Sequence, residues 1–205
     1  MSIKHSLRAT GLLAAVALLM AAAPAVAQAK KFQAEVYPAS IHGVQEGINK
    51  FTVEGAPAVE CETAEFNGTL TEASEWLKIT PTYGKCKAFG FASTVTFNGC
   101  QYEFHTNGSV DVLCPSGKKI VIEVTEGLAK GCKVEIGEQK GLESVKYENI
   151  AGGKVRVTAN VKHVAYRSNE VGFGCPANGK EATYEGKVVA EGKNELGEPD
   201  SIKVE

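Results

Sequence analysis

The side chains that could act as general acids, bases or nucleophiles form no assembled catalytic pattern along the sequence. The Gly-x-Ser-x-Gly elbow of many serine hydrolases does not occur. Beyond residue 27 the histidines are His42, His105 and His163, and we interpret each as a surface residue rather than a catalytic base. Carboxylate catalysis stays open, because the chain is rich in glutamate and any two could face each other across a groove. The sequence singles out no such pair and therefore no catalytic residue.

Metal and nucleotide sites have equally little support. No Cys-x-x-Cys pair occurs, and the histidines lie far from zinc-ligand spacings. Asp111 and Asp200 are the only aspartates, so an Asp-x-Asp-x-Asp calcium loop is absent. Residues 174–180 match the phosphate-loop pattern G-x-x-x-x-G-K, but Glu181 stands where a magnesium-binding Ser or Thr should follow. The sequence predicts no metal site and no cofactor.

The six cysteines are the most informative reactive residues: Cys61, Cys86, Cys100, Cys114, Cys132 and Cys175. An even number in an exported chain predicts a disulfide framework. Folding the chain about Asn107 sets Cys100 opposite Cys114, and we predict that bridge. The other four cysteines allow more than one pairing. We favour Cys61–Cys86, because it closes a local loop, and Cys132–Cys175 is the pair left over.

Aromatic residues around Cys86 form the most distinctive stretch of the chain, residues 80–91. Together with Trp76 and Tyr102 they could build a platform on which sugars stack, although core packing is the favoured interpretation. The stretch is predicted to be a loop tethered by a disulfide, and such loops commonly carry binding residues. The candidate binding residues are therefore Tyr83, Phe89 and Phe91.

The elements that position these residues are predicted to be β-strands. Apolar and polar residues alternate from about residue 50 to residue 190, with Gly, Asn and Pro turns between the runs. The clearest hairpin turns at residues 106–108 and pairs Phe104 with Val110 and Tyr102 with Val112. Further strands are expected around residues 120–136, 145–161 and 184–190, the last interrupted at Gly186.

So many short strands predict an all-β fold, an antiparallel sandwich or barrel-like domain stapled by disulfides. No linker rich in proline or serine divides the chain, and no repeat of fixed period occurs. The predicted organisation is a signal peptide at residues 1–27, a flexible N-terminal segment at residues 28–49 and a single all-β domain at residues 50–205.

The N-terminus has the layout of a cleaved secretory signal. Lys4 and Arg8 precede an apolar run from Gly11 to Met20, and Ala25-Val26-Ala27 supplies the small residues before a cut. The run is too short to span a bilayer comfortably, and no other apolar stretch of the sequence approaches the roughly 20 residues that a spanning helix needs, so no membrane insertion is expected after cleavage. Removing Lys4 and Arg8 from the 22 basic residues leaves 20 against 24 acidic ones, which disfavours nucleic acid as a partner. We expect a secreted or extracellular protein, released or associated with the cell envelope.

Several short segments between Cys61 and Gly186 are distinctive in sequence. They are residues 66–70, 80–83, 86 with 88–91, 98–102, 110–112 with 114–115, and 175–176. These segments resemble a group of uncharacterised exported cysteine-containing β proteins of actinobacterial type. The resemblance implies a bacterial, exported, disulfide-rich β domain, and it implies no activity, ligand or functional residue.

The leading functional hypothesis is a secreted non-catalytic binding or structural module of the cell envelope or extracellular space. Its candidate partners are cell-wall polysaccharide or another protein. The alternatives are a secreted carboxylate-dependent hydrolase and an inhibitor or effector that presents a braced loop. A hydrolase should show two close carboxylates in a cleft, and a binding module an exposed aromatic or apolar patch. An inhibitor should show one projecting loop, with residues 80–91 the first candidate.

Overall fold

The structure, a computed structural model, describes residues 29–205 and is built entirely from β-strands and the turns between them. The strands are β1 (Phe32–Ala34), β2 (Ala39–Gln45), β3 (Asn49–Thr52), β4 (Val59–Leu70), β5 (Trp76–Ala88), β6 (Phe91–Thr96), β7 (Gln101–His105), β8 (Ser109–Leu113), β9 (Ile120–Val124), β10 (Lys133–Ile136), β11 (Gln139–Glu143), β12 (Val145–Ile150), β13 (Lys154–Ser168), β14 (Gly179–Lys193), β15 (Pro199–Asp200) and β16 (Ile202–Val204). Within this part of the chain no helix has the length and apolar character needed to cross a membrane. The predicted signal peptide, residues 1–27, lies outside the described residues.

Eight strands join edge to edge into a closed ring. The order is β3, β4, β5, β6, β9, β10, β13 and β14, and β14 pairs back with β3. Every pair in the ring is antiparallel. Closure removes the free edges that an open sheet would present. The predicted all-β antiparallel fold is therefore confirmed, in its barrel-like form.

Four of the ring strands, β4, β5, β13 and β14, are 12 to 15 residues long and continue beyond the ring. There β2 inserts between β14 and β4, while β7, β8 and β11 extend the sheet from β5. β12 pairs along β13 in the same sheet, whereas β1 and β16 pair with each other in a separate two-stranded sheet. The long strands therefore connect two packed regions of one continuous sheet.

Each of these regions has its own apolar core. One cluster takes its side chains mainly from β8, β9, β10 and β13, and the other from β2, β4, the start of β5 and the end of β14. Tyr83, Tyr102 and Phe104 contact both clusters, so aromatic rings fill the space between them. A third, smaller cluster around Ala88, Val124 and Ala129 lies where the ring strands meet their loops.

All three predicted disulfides are present. Cys61 and Cys86 are directly opposed residues of β4 and β5. Cys100–Cys114 joins the two ends of the β7–β8 hairpin, in which Tyr102 faces Val112 and Phe104 faces Val110 as predicted. Cys132–Cys175 ties the β9–β10 loop to the β13–β14 loop.

The predicted flexible segment at residues 28–49 is wrong, because most of it is part of the sheet. β2 lies between β14 and β4, and Ala39, Ile41 and Gly43 alternate toward the core. A Cβ atom at Gly43 would lie only 2.7 Å from Cγ1 of Val188. Gly43 therefore lets β2 pack closely against the neighbouring strand, because it has no side chain at this contact.

The predicted loop at residues 80–91 is also wrong over most of its length. Residues 80–88 belong to β5, and only Phe89 and Gly90 form the turn to β6. Pro81 and Gly84 lie within this strand, and the inward alternation shifts by one residue between Tyr83 and Cys86. Lys85, at that shift, has a left-handed φ of 51°. Because of this shift, period-two alternation does not identify residues 80–88 as part of one strand.

Candidate functional site

Loops at one end of the closed ring carry exposed apolar side chains. The hairpins β5–β6, β9–β10 and β13–β14 all turn at this end, because their strands alternate in direction around the ring. Leu128, Val171 and Phe173 project there, between 54 % and 77 % exposed. Phe89 and Phe91 pack beside them on the small core cluster. We name these five residues the apolar loop cluster.

Hydrogen bonds and a disulfide hold these loops against each other. The amide of Phe173 donates to the carbonyl oxygen of Leu128 at 3.1 Å, in addition to the Cys132–Cys175 bridge. The Asn169 side chain accepts from the amide of Lys133 (2.9 Å) and donates to the carbonyl oxygen of Gly131 (2.8 Å). The asparagine side chain thus supplies hydrogen bonds where the strand ladder ends. These contacts fix the β9–β10 and β13–β14 loops, and with them the exposed side chains of the apolar loop cluster.

Charged residues of both signs surround the apolar loop cluster. Glu126 and Lys130 flank Leu128 along the β9–β10 loop, and Glu170 precedes Val171 on the β13–β14 loop; all three are exposed. Glu170 accepts a hydrogen bond from the Asn178 side chain at 3.3 Å. An apolar centre with a mixed polar rim is the arrangement found in protein–protein interfaces.

The three predicted binding residues do not share one surface. Phe89 and Phe91 lie in the apolar loop cluster, whereas Tyr83 points into the interior and stacks on Phe97, with ring centroids 5.8 Å apart. The interpretation of Tyr83 as a loop residue is therefore wrong. Leu128, Val171 and Phe173 were missed, although each is a large apolar residue next to glycine in a loop that also carries charged side chains. That contrast is the signal that could have identified them.

Tyr83 belongs to a hydrogen-bonded chain that crosses the interior. Its hydroxyl donates to the hydroxyl of Tyr184 at 2.8 Å, and Tyr184 donates to Oδ1 of Asn49 at 2.6 Å. Asn49 is buried and donates to the side chain of Gln45, which in turn donates to the backbone carbonyl of Glu62. These buried polar groups are paired, as their removal from water requires. This series of hydrogen-bonded side chains is a structural feature of the core.

The buried tyrosines predict a loss of stability at alkaline pH. Desolvation raises the pKa of Tyr102 to about 12 and also raises the pKa of Tyr83, Tyr147 and Tyr184. In the unfolded chain tyrosine titrates near its ordinary value of about 10, so above that pH the unfolded state releases protons that the folded state retains. The stabilisation is complete below about pH 10 and is lost as the pH rises through about 12.

We expect the urea midpoint to fall steadily above about pH 10, when denaturation is measured at stepped pH. The tyrosinate absorbance of the folded protein should appear at higher pH than that of the protein unfolded in urea. Coincident absorbance titrations of the two states would contradict this prediction, because they would mean that burial leaves the tyrosine pKa values unchanged.

A carboxylate–imidazole group lies on the outer face of the β7–β8 hairpin. Glu103 and Asp111 are directly opposed across the two strands. Nε2 of His105 lies 3.6 Å from Oε1 of Glu103 and 3.4 Å from Oδ2 of Asp111. The three side chains are between 13 % and 27 % exposed. The amide of Gly141 donates to the other oxygen of Asp111 at 2.7 Å.

This carboxylate pair does not support the hydrolase hypothesis. Glu103 and Asp111 are neighbours on adjacent strands, and the His105 ring reaches into the space between them. In glycosidases the two carboxyl groups flank the bond to be cleaved, roughly 5–10 Å apart, with the sugar between them. A sugar could not pass between side chains that already converge on one imidazole nitrogen.

Comparison with known proteins gives no match: no protein-family model, curated protein or solved structure matches this chain. A function is therefore inferred from the chemistry of the described residues alone. Of the three features above, the buried tyrosine chain is explained by core packing. The apolar loop cluster and the carboxylate–imidazole group both face solvent, and each is suited to a different kind of ligand.

Proposed function

We propose that this protein is a secreted, non-catalytic binding module that contacts another protein through the apolar loop cluster. The observation that carries the proposal is that Leu128, Val171 and Phe173 project from adjoining loops tied together by a disulfide. Covering apolar surface contributes favourably to binding, by about 25 cal/mol per Å² before the entropic cost of association is subtracted. Loops that are already braced lose little conformational entropy when a partner binds.

The three disulfides support an extracellular location. Such bridges form and persist in oxidising environments, and the described residues contain no free cysteine. The basic and apolar pattern of residues 1–27 supports export by the same reasoning. Both features are expected of a protein that meets its partner outside the cell.

The chemistry of the cluster favours a protein partner over a polysaccharide or a membrane. Sugars stack on flat, accessible aromatic faces, whereas two of the three projecting side chains of the cluster, Leu128 and Val171, are aliphatic and only Phe173 is aromatic. The single tryptophan, Trp76, lies at the opposite end of β5, and Nζ of Lys78 sits 5.3 Å from its ring centroid. An anionic membrane would favour a basic rim, whereas the β9–β10 and β13–β14 loops each carry an acidic residue beside the cluster.

Photo-crosslinking from position 173 tests the proposal. A photoreactive phenylalanine analogue placed there should crosslink to one protein in native extracellular material, and the bond can be mapped by mass spectrometry. The same analogue at Leu196, an exposed leucine in the turn after β14, is the matched control and should give no such product. Calorimetry with the purified partner should show that Phe173→Ser weakens binding about 30-fold, as expected for an apolar anchor. Leu196→Ser should bind like the wild type.

Other outcomes of this experiment would overturn the assignment. Crosslinks only between copies of the chain would make the cluster a self-association surface, and binding only to polysaccharide would replace the protein partner. Equal affinity of Phe173→Ser and wild type would exclude the cluster as the binding surface. Both variants change exposed side chains, so urea denaturation should confirm that each is folded.

An inhibitor that presents a braced loop is the second candidate function. Residues 169–178 project between β13 and β14 and are tied to the neighbouring loop at Cys175. A rigid loop of this kind can occupy an enzyme groove with little loss of entropy. If the crosslinked partner is an enzyme, inhibition by the wild type but not by Phe173→Ser would assign this function.

A further inference from the structure

We propose that Glu103, His105 and Asp111 bind a divalent transition-metal ion on the outer face of the β7–β8 hairpin. The inference does not depend on the proposed function, because the group lies on different strands from the apolar loop cluster. Imidazole nitrogen and carboxylate oxygen are ligands that Zn²⁺ and related ions accept. One donor atom from each of the three residues lies within 4.8 Å of the others.

The strand register brings these three side chains together. Glu103 and His105 are two residues apart on β7 and therefore point to the same face of the sheet. Asp111 lies opposite Glu103 on β8 and joins them on that face. The neighbouring residues Tyr102 and Phe104 point the other way, into the core. The group is thus fixed by a hairpin that is closed by its own disulfide.

The distances suit a single ion with little rearrangement. Ligands about 2.1 Å from a tetrahedral zinc ion lie roughly 3.4 Å from one another. Nε2 of His105 is 3.6 Å from Oε1 of Glu103 and 3.4 Å from Oδ2 of Asp111, close to that separation. The remaining pair of donor atoms, one oxygen from each carboxylate, lies within 4.8 Å. Water would complete the coordination on the solvent side.

Each carboxylate is held at one oxygen and presents the other to His105. The Gly141 amide donates to Oδ1 of Asp111 at 2.7 Å, so Oδ2 faces the imidazole. Nζ of Lys78 lies 3.6 Å from Oε2 of Glu103, so Oε1 of Glu103 faces the His105 imidazole. Contacts of this kind orient metal ligands from outside the coordination sphere. Two carboxylates directly opposite each other repel, and an ion between them would relieve that repulsion.

Calorimetric titration of the disulfide-intact protein with ZnCl₂ tests the site. We expect one saturable site, weakened at least about tenfold in both His105→Ala and Asp111→Asn. His163→Ala is the matched control, because it removes an exposed imidazole that has one acidic neighbour, Glu181, with Nδ1 and Oε2 2.7 Å apart. Its zinc affinity should equal that of the wild type.

Thermal unfolding provides a second readout. Zinc should raise the melting temperature of the wild type and of His163→Ala but not that of His105→Ala, since binding to the folded state stabilises it by mass action. Equal melting temperatures of all variants in chelator would show that His105→Ala is folded. Absence of saturable binding, or equal zinc affinity in wild type and His105→Ala, would overturn the proposal.

Discussion

Reduction of all three disulfides is expected to unfold this protein at room temperature. The bridges join residues 25, 14 and 43 positions apart. Restricting the unfolded chain by loops of these lengths stabilises the fold by about 3–4 kcal/mol each, or roughly 10 kcal/mol together. Domains have total stabilities of about 5–15 kcal/mol, so this loss is comparable with the whole. Tryptophan fluorescence and urea denaturation, with and without a phosphine reductant, would measure the change.

Removal of single bridges provides the control for this experiment. The double variant Cys100→Ser/Cys114→Ser opens the shortest loop and should remain folded, with the free energy of unfolding lower by about 3 kcal/mol. Cys132→Ser/Cys175→Ser opens the longest loop and should lose about 4 kcal/mol. It should also weaken partner binding, because it releases the loops of the apolar loop cluster. A fully reduced protein with an unchanged urea midpoint would contradict the expectation.

Local hairpins could be predicted from the sequence because their partners are close along the chain. The pairing of Tyr102 with Val112 follows from a three-residue turn and matched apolar residues, and it also sets Cys100 near Cys114. The ring itself could not be predicted. Its closure depends on β14 pairing with β3, which lies more than 100 residues earlier. Alternation shows which face of a strand is buried but not which strand lies beside it.

The candidate sites differ in how far the sequence could reveal them. Once Tyr102 is paired with Val112, the same register places Glu103 opposite Asp111 with His105 on the same face, so this group was implicit in the predicted hairpin. The apolar loop cluster could not be predicted in this way, because its members come from three hairpin ends that only ring closure brings together. Loops lack the periodicity from which neighbours in space can be inferred.

The substitution Gly186→Ala is expected to lower the free energy of unfolding by about 3 kcal/mol. The sequence suggested that a strand is interrupted at Gly186, whereas β14 continues through it, paired with Ala159. A Cβ atom there would collide with Oδ1 of Asn49 and lie 2.8 Å from the hydroxyl oxygen of Tyr184. Neither atom can retreat freely, since each is hydrogen-bonded to the other inside the core. The variant must therefore either overpack the core or leave a buried polar group unpaired.

Gly137→Ala is the matched control for this substitution. A Cβ atom at Gly137 would meet nothing within 4 Å, and its backbone does not adopt the left-handed conformation that disfavours alanine. Its urea midpoint should stay within experimental error of the wild type or rise slightly, because alanine restricts the unfolded chain. If both variants unfold at the same urea concentration as the wild type, the interior around Tyr184 and Asn49 is looser than these distances imply. A loss of stability in Gly186→Ala alone would show that the fold requires glycine here because there is no space for a side chain, and not because the strand is interrupted.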